Sequence, residues 1–171
     1  MLQLTRLLML AALLGLSLSQ AQLATQPNLD LTRLLGTGRH GEPILTVLNR
    51  NLPQVQQMID SHKQRCLSKL QLPANQRALI HEPKPTEQEK CLMECVFKSI
   101  RLMDGNKLNL QRVQQLASQV TDNNAMAVAL SSTLAQSCNR LVRSSKPCEA
   151  AHQLNQCIAK HMERNRVKLS W

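Results

Sequence analysis

The sequence is almost without aromatic side chains. In 171 residues it has no tyrosine, one phenylalanine (Phe97) and one tryptophan (Trp171). Proteins that bind single-stranded nucleic acids stack the bases on several aromatic rings. The composition therefore does not support that class, and no nucleic-acid partner is expected. The chain also has no N-x-S/T acceptor, so N-glycosylation is not expected.

A second absence is that of an apolar run long enough to cross a bilayer. The longest run, from Leu7 to Leu18, has about 12 residues, whereas a spanning helix needs roughly 20. It follows Arg6 and is followed by small residues up to Ala21. This pattern is typical of a secretory signal, so residues 1–21 are predicted to be a signal peptide. A single-pass anchor is the alternative, which the short run disfavours. The mature protein is expected to be soluble, secreted and extracellular.

Acidic residues are scarce relative to basic ones. The chain has 21 Lys and Arg against 11 Asp and Glu, a formal net charge of +10, and only Arg6 among these cations belongs to the predicted signal. Such an excess favours anionic surfaces or ligands. Because the cations are scattered, a solvated basic surface is the simpler interpretation. A secreted cationic interaction protein that binds membranes or anionic partners is kept as the alternative function.

Catalytic motifs are also missing. No G-x-S-x-G, H-E-x-x-H or phosphate-binding loop occurs. No catalytic residue and no cofactor is therefore expected, and the protein is predicted not to be an enzyme.

What the chain does have is helical spacing of apolar residues after residue 50, which predicts an all-α fold of about six helices. The first is predicted to begin at Asn51 to Pro53 and to stop at Pro73. A short second helix is predicted over residues 75–81. Residues 22–50 form an N-terminal extension, interpreted as partly disordered.

The third helix has the clearest start signal. Thr86 and Glu89 have the spacing of a capping box, and Gly105 is expected to end the helix. The other helices are predicted at residues 110–120, 123–142 and 145–162. The fifth has no charged residue between Asn123 and Asn139, so it is expected to be covered on most sides, as core or as one wall of a cavity.

Six cysteines lie in these helices: Cys66, Cys91, Cys95, Cys138, Cys148 and Cys157. Residues four apart in a helix hold their Cβ atoms about 6 Å apart, whereas a disulfide needs about 3.5 to 4.5 Å, so Cys91 does not bond Cys95. Cys148 and Cys157 are nine positions apart and face opposite sides of their helix. Of the 15 possible pairings, about ten remain open on this geometry.

Metal binding and redox chemistry are two other uses of cysteine thiols. Cys148 with His152, and Cys157 with His161, have a C-x3-H spacing that places two metal ligands on one helix face. An exported protein meets an oxidising compartment, where disulfides are favoured over free thiols, so no metal is expected. Redox chemistry normally uses a C-x-x-C motif, which is absent. The cysteines are therefore predicted to form structural disulfides.

The complete spacing is Cys66-x24-Cys91-x3-Cys95-x42-Cys138-x9-Cys148-x8-Cys157. Behind a signal peptide and in a helical chain, it resembles that of the six-cysteine insect odorant-binding proteins of the pheromone- and general-odorant-binding family. The x3 and x8 gaps are its most diagnostic features. The resemblance covers residues 51–162 as an odorant-binding-like helical domain, with residues 163–171 as a C-terminal tail. It implies six helices around an internal apolar cavity and three interlocked disulfides, Cys66 with Cys95, Cys91 with Cys148 and Cys138 with Cys157.

The resemblance also implies a function. It is that of a secreted carrier, in olfaction or another fluid, which binds small hydrophobic molecules such as odorants, pheromones or lipid-like ligands in its cavity and transports them through aqueous extracellular fluid. The implied partner is a small apolar ligand; a membrane chemoreceptor and a second copy in a homodimer are further candidates. The chain departs from the family in its N-terminal extension, its basic charge and its lack of aromatic residues to line a cavity.

Ligand-contacting residues are expected on the uncharged fifth helix, on the apolar sides of the third and fourth, and in the tail. The candidates are Met93, Phe97, Ile100, Met103, Val113, Leu116, Met126, Leu130, Leu134 and Trp171. The alternative for each is plain core, and for Trp171 a free cationic tail rather than a lid. Four histidines, at positions 62, 81, 152 and 161, are candidates for a pH-dependent release of ligand.

Overall fold

The computed structural model describes residues 42–171. The predicted signal peptide and residues 22–41 of the predicted extension lie outside these residues. The elements are α1 (Ile44–Lys69), α2 (Glu87–Ser99), β1 (Met103–Asp104), β2 (Lys107–Leu108), α3 (Leu110–Val120), α4 (Ala125–Leu141) and α5 (Pro147–Arg164). The prediction of a helical fold is confirmed over this part of the chain. The described residues form five helices, where six were predicted, and a short hairpin whose two strands have two residues each. None of these helices is both long enough and apolar enough to cross a membrane.

The start of α1 differs from the prediction. The helix begins at Ile44 rather than near Asn51, and it contains Pro53 in its interior. Ile44 and Val47 are buried together with Ala127 of α4. Burying an aliphatic side chain contributes about 1.5 to 3 kcal/mol, and an interior proline costs roughly 3 kcal/mol. Burial of two such side chains therefore offsets the proline and extends the helix upstream.

The predicted short helix over residues 75–81 is absent, and the segment is irregular. Its backbone groups bond to tertiary partners instead of to each other. Leu79 donates its N–H to the carbonyl of Trp171 at 2.6 Å. The amide nitrogen of Asn155 donates to the carbonyls of Leu79 and Ile80, both at 3.0 Å. Leu79 and Ile80 are themselves buried, so the segment is held by the core rather than by helical hydrogen bonds.

The end of α2 also differs from the prediction. The helix ends at Ser99, not at Gly105, because Arg101 adopts the left-handed conformation with φ of 60°. Leu102 then donates its N–H back to the carbonyl of Phe97, which closes a Schellman turn. Gly105, with φ of 53°, lies instead at the turn of the hairpin that joins β1 and β2.

The helix at the centre of the molecule is α2. Its residues Leu92, Met93 and Val96 are fully buried, and it packs mainly against α5, where Ala150 and Ala151 are also fully buried. Small side chains on α5 allow the two backbones to approach closely. The core is thus built around the helix that carries Cys91 and Cys95.

The expectation that the uncharged helix α4 is covered on most sides is wrong for the described structure. It buries only Ala127, Ser132, Ala135 and Cys138. Met126 is 50% exposed and Leu141 is 59% exposed. The helix tolerates solvent because its hydroxyl groups bond back to carbonyls one turn earlier, as Ser132 does to Val128. Absence of charge therefore reflects small, self-satisfied side chains rather than a surrounding core.

Three disulfides join four of the helices. Cys66–Cys95 links α1 to α2, Cys91–Cys148 links α2 to α5, and Cys138–Cys157 links α4 to α5. The pairing implied by the family resemblance is confirmed. As the spacing required, Cys91 and Cys95 bond to different helices, and so do Cys148 and Cys157.

The start of α2 is fixed by a buried carboxylate. The predicted capping box is confirmed: Thr86 Oγ1 accepts from the N–H of Glu89, and the Glu89 carboxylate accepts from the N–H of Thr86. The same carboxylate accepts from the guanidinium of Arg77 and the amide of Gln76. The hydrogen bond from Arg77 is the main reason that the pKa of Glu89 falls to about 2. Glu89 thus ties the irregular segment to the helix.

We predict that Glu89→Gln lowers the free energy of unfolding by about 1 to 3 kcal/mol, because it removes a charge-assisted hydrogen-bond centre from a buried position. Since the folded carboxyl has a pKa of about 2 and the unfolded one about 4.5, its contribution is complete above pH 4.5 and is lost as the pH falls towards 2. Thermal unfolding across this range measures both effects.

Glu87→Gln is the matched control, since Glu87 lies in the same first turn with its side chain 82% exposed. Its Tm is expected to stay close to that of the wild type. Equal losses in the two variants would contradict a special role for Glu89.

Candidate functional site

The described structure contains a small apolar cavity of about 50 Å³ beneath the C-terminal tail. Its wall comes from α1, the irregular segment, α2 and the residues after it, α5 and the tail. The lining residues are Ile59, Ile80, Val96, Phe97, Ile100, Leu102, Ile158, Met162, Leu169 and Trp171. All ten are apolar, so the cavity favours a hydrophobic molecule or part of one.

Three of the ten predicted contact residues line this cavity: Phe97, Ile100 and Trp171. Met93 and Met103 belong to the same core but do not reach the cavity, and Val113 packs against that core. The remaining four predicted residues, on α3 and α4, do not line it. They are Leu116, Leu130 and Leu134, which are half-buried, and Met126, which is exposed. Their contact with a ligand stays a prediction.

The sequence carried a signal for some of the lining residues that were not predicted. On α5, Ile158 and Met162 lie four positions apart on one apolar stripe, and Ile59 lies on the apolar stripe of α1. Ile80 and Leu169 lie in segments without helical periodicity, so no pattern singled them out. The lack of charge on α4 predicted that this helix forms one wall of the cavity. No residue of α4 lines the described cavity, so lack of charge was a poor guide to burial.

The tail lies over the cavity instead of extending freely into solvent. After α5 ends, Arg166 adopts a left-handed conformation with φ of 54°, and Val167 donates its N–H to the carbonyl of Met162. This second Schellman turn reverses the chain. From there exposed and covered side chains alternate: Lys168 is exposed, Leu169 is half-buried, Ser170 is exposed and Trp171 is buried.

Three contacts hold the end of the tail. The indole of Trp171 lies 5.3 Å from the ring of Phe97, centroid to centroid, with the planes tilted by 53°. The carbonyl of Trp171 accepts from the N–H of Leu79 at 2.6 Å. Gln56 of α1 bonds both backbone groups of Ser170, accepting from its N–H at 3.0 Å and donating to its carbonyl. The two aromatic rings of the described chain thus meet over the cavity.

The histidines do not contribute to the cavity wall. Burial is the main cause that lowers the pKa of His152 and of His161, and also that of His62. Glu149 and Glu87 oppose the effect at His152, while Lys90 adds to it. These histidines are therefore stabilised in the neutral form.

A cluster with metal-ligand chemistry occurs where His161 lies beside Cys138 and Cys157. The two sulfur atoms are bonded to each other. A cysteine binds metal as a thiolate, so this cluster is not a metal site.

The described surface also has an open polar groove beside the Cys91–Cys148 disulfide. It contains the cations Arg143 and Lys146 and the anions Glu87 and Glu149. Lys90 bridges the two carboxylates at 2.8 and 2.7 Å. Because charges of both signs alternate there, the groove does not form the one-sign patch that would attract an anionic surface.

The described structure is that of a small helical protein whose helices are joined by three disulfides around an apolar core. Residues 49–161 match the model of the PBP/GOBP family, which covers more than half of the chain. The chain belongs to this family. The members of this family are binding proteins rather than enzymes.

Relatives agree with this assignment. General odorant-binding protein 28a of Drosophila melanogaster is 30% identical over 78 residues, which are 45% of this chain and 54% of that protein. General odorant-binding protein 19d of the same species is 23% identical over 95 residues, 55% of this chain and 63% of that protein. The chain thus matches somewhat more than half the length of these relatives.

A solved structure has the same fold. It is the odorant-binding protein dmelOBP28a from Drosophila melanogaster, which superposes with a TM-score of 0.52. The superposition covers 67% of this chain and 98% of that chain, at 19% sequence identity. At this identity the likeness concerns the fold alone.

We predict that mild acid destabilises the fold through the buried histidines. Burial lowers the pKa of His152 below its ordinary value of 6.5, so the unfolded state binds the proton more readily. Stability is therefore complete above about pH 6.5 and falls as the pH drops below it. In His152→Gln, the slope of Tm against pH is expected to be smaller than in the wild type between about pH 6.5 and 5.5.

His81→Gln is the control, because His81 is exposed. Its slope is expected to match that of the wild type. A slope unaltered in His152→Gln would contradict the assignment.

Proposed function

We propose that the protein is an extracellular carrier that takes odorants, pheromones or lipid-like molecules into the apolar cavity beneath its tail and transports them through aqueous fluid. The observation that carries the proposal is the combination of a fully apolar wall with a tail that closes it through Trp171. Three disulfides suit an oxidising, extracellular compartment. The predicted signal at residues 1–21 is consistent with export.

The size of the cavity defines how a ligand would enter. Its volume of about 50 Å³ is well below the roughly 150 Å³ of an engineered cavity that holds benzene. A larger guest therefore has to displace part of the wall. Trp171 is the best candidate, because it comes from the tail rather than from a disulfide-linked helix. We propose that ligand and Trp171 compete for the same apolar space.

This competition limits affinity and selects ligands by size. A ligand that buries about 300 Å² of apolar surface gains about 7 kcal/mol before association costs. Displacing a tryptophan gives up roughly 150 to 250 Å² of burial, about 4 to 6 kcal/mol. Only molecules that bury more apolar surface than an indole ring gain from the exchange. The difference is about 1 to 3 kcal/mol, well short of the roughly 8 kcal/mol of a micromolar complex, so micromolar binding requires long-chain ligands that bury more than about 300 Å².

The predicted contact residues and the predicted partners are also proposals. Of the sequence-predicted contacts, Phe97 and Ile100 line the cavity and are retained, together with Trp171 as the displaceable lid. A membrane chemoreceptor that receives the ligand is proposed as a partner, and so is a second copy of the chain in a homodimer. Neither is assigned to a described surface.

A second candidate function rests on one observation, that the tail exposes Arg164, Arg166 and Lys168 while its apolar residues face inward. This favours binding to anionic membranes or partners. Binding to vesicles rich in anionic lipid that falls with added salt would support it, whereas salt-independent uptake of apolar probes supports the carrier.

We predict that the oxidised protein binds an N-phenylnaphthylamine probe at one saturable site and that long-chain alcohols, aldehydes, esters or fatty acids displace it. Trp171 is the only tryptophan, so its fluorescence reports the exchange directly. Saturation with ligand is expected to shift its emission to longer wavelength, because the indole moves from the core to water. Binding without any shift would contradict displacement of Trp171.

Trp171→Ala is expected to raise probe affinity by about a hundredfold or more, because the competing indole burial of about 4 to 6 kcal/mol is gone, and to lower Tm, because apolar burial is lost. The control is Met126→Ala, at the half-exposed start of α4. It is expected to leave affinity unchanged. Weaker binding by Met126→Ala alone would instead favour the wall predicted from sequence. Failure of the folded wild type to bind any probe would reject the carrier function.

A further inference from the structure

Asn155 has a hydrogen-bond acceptor that no group in the described part of the chain uses. The side chain is completely buried on α5, and its Oδ1 atom has no hydrogen-bond partner there. Buried polar atoms are nearly always paired, so such an oxygen calls for an explanation. The other half of the amide is fully used: Nδ2 donates to two backbone carbonyls, those of Leu79 and Ile80.

These two hydrogen bonds fix the orientation of the amide. Exchanging the nitrogen and oxygen would place Oδ1 at 3.0 Å from two carbonyl oxygens, where no hydrogen is available to share. The nitrogen therefore faces the irregular segment. The oxygen, on the opposite side of the planar amide, is left for another donor.

Asn155 does not itself line the cavity, but it bonds to one lining residue, Ile80, and lies on the same helix as two others. With 100° of rotation per residue, it is within about 20° of Met162 and about 60° of Ile158 around α5, and both of those residues line the cavity. Its partner Ile80 lines the cavity too. Its partner Leu79 holds the carbonyl of Trp171. The amide thus lies where the cavity wall meets the displaceable tail.

We infer that Oδ1 of Asn155 accepts a hydrogen bond from a hydroxyl group of the ligand, and that the preferred ligands are long-chain alcohols. This inference rests on the proposed carrier function. An apolar cavity with one unpaired acceptor beside it matches an alkyl chain with one donor. Esters, ethers and ionised fatty acids offer only further acceptors in the same position, so they leave the oxygen unpaired.

The test is a comparison of two isomers in the oxidised wild-type protein. Decanol and methyl nonyl ether have the same atoms, but only the alcohol has a donor. Both compete with the N-phenylnaphthylamine probe. The alcohol is expected to bind about tenfold more tightly or better, since pairing a buried acceptor is worth that factor. If Oδ1 did not accept a hydrogen bond from the ligand, the ether would bind at least as well as the alcohol, because the hydroxyl loses its bonds to water on burial.

A variant then assigns the preference to Asn155. In Asn155→Leu the ratio of alcohol to ether affinity is expected to fall to one or below, whereas Gln156→Leu, at an exposed neighbouring position, keeps the wild-type ratio. If Asn155→Leu does not fold, because the clamp on Leu79 and Ile80 is lost, the wild-type ratio decides alone.

The outcomes separate the two proposals. A wild-type ratio near one, or a preference for the ether, overturns the role of Asn155 and leaves the carrier function in place. It is also the result expected if a permanently bound water occupies Oδ1. A preference for the alcohol that survives in folded Asn155→Leu overturns the assignment to this residue. Failure of both isomers to displace the probe, with no probe uptake, overturns the carrier function and this inference with it.

Discussion

The fold depends on the covalent frame that three disulfides make through α2 and α5. Cys91 and Cys95 on α2 and Cys148 and Cys157 on α5 bond outward to different helices, so α1, α2, α5 and α4 are linked in series. In the chain-entropy description, loops of these lengths each remove about 3 to 4 kcal/mol of freedom from the unfolded state. This frame supports a core that has almost no aromatic residues and in which α5 packs on α2 through alanines. It leaves α3, the irregular segment and the tail without a covalent link to another element, since they carry no cysteine.

The irregular segment and the tail support each other. Leu79 and Ile80 have no helical hydrogen bonds. The N–H of Leu79 bonds to Trp171 of the tail, and the carbonyls of both residues accept from Asn155 of the frame. Glu89 holds the same segment from the other side through Arg77 and Gln76. Loss of the tail would therefore free one N–H of the segment while the Asn155 clamp and the Glu89 ion pair remain. That arrangement allows the tail to move without unfolding the wall behind it.

The parts of the fold that the sequence predicted are those with local or family-specific signals. The Thr86–Glu89 capping box, the helical spacing and the disulfide pairing were all predicted correctly. The errors lie where tertiary contacts override local preference: α1 extends through Pro53 because Ile44 and Val47 find Ala127, and residues 75–81 give up helical bonds for bonds to other elements. The cavity was only partly predicted. The absence of charge on α4 predicted burial, although alanine, serine and threonine are equally suited to a solvent-facing helix.

The pairing of Phe97 with Trp171 brings the two aromatic residues of the chain together at one place. Both are placed at the cavity, one on the rigid frame and one on the tail. In the proposed exchange, the ring on α2 shapes the wall, and the ring on the tail fills the space that an apolar guest would take. Because a tryptophan and an alkyl chain bury comparable areas, the exchange is close to balanced, and small differences decide it. In the proposed exchange a single hydrogen bond to Asn155 is comparable to that balance, so one buried oxygen would make a general apolar site selective.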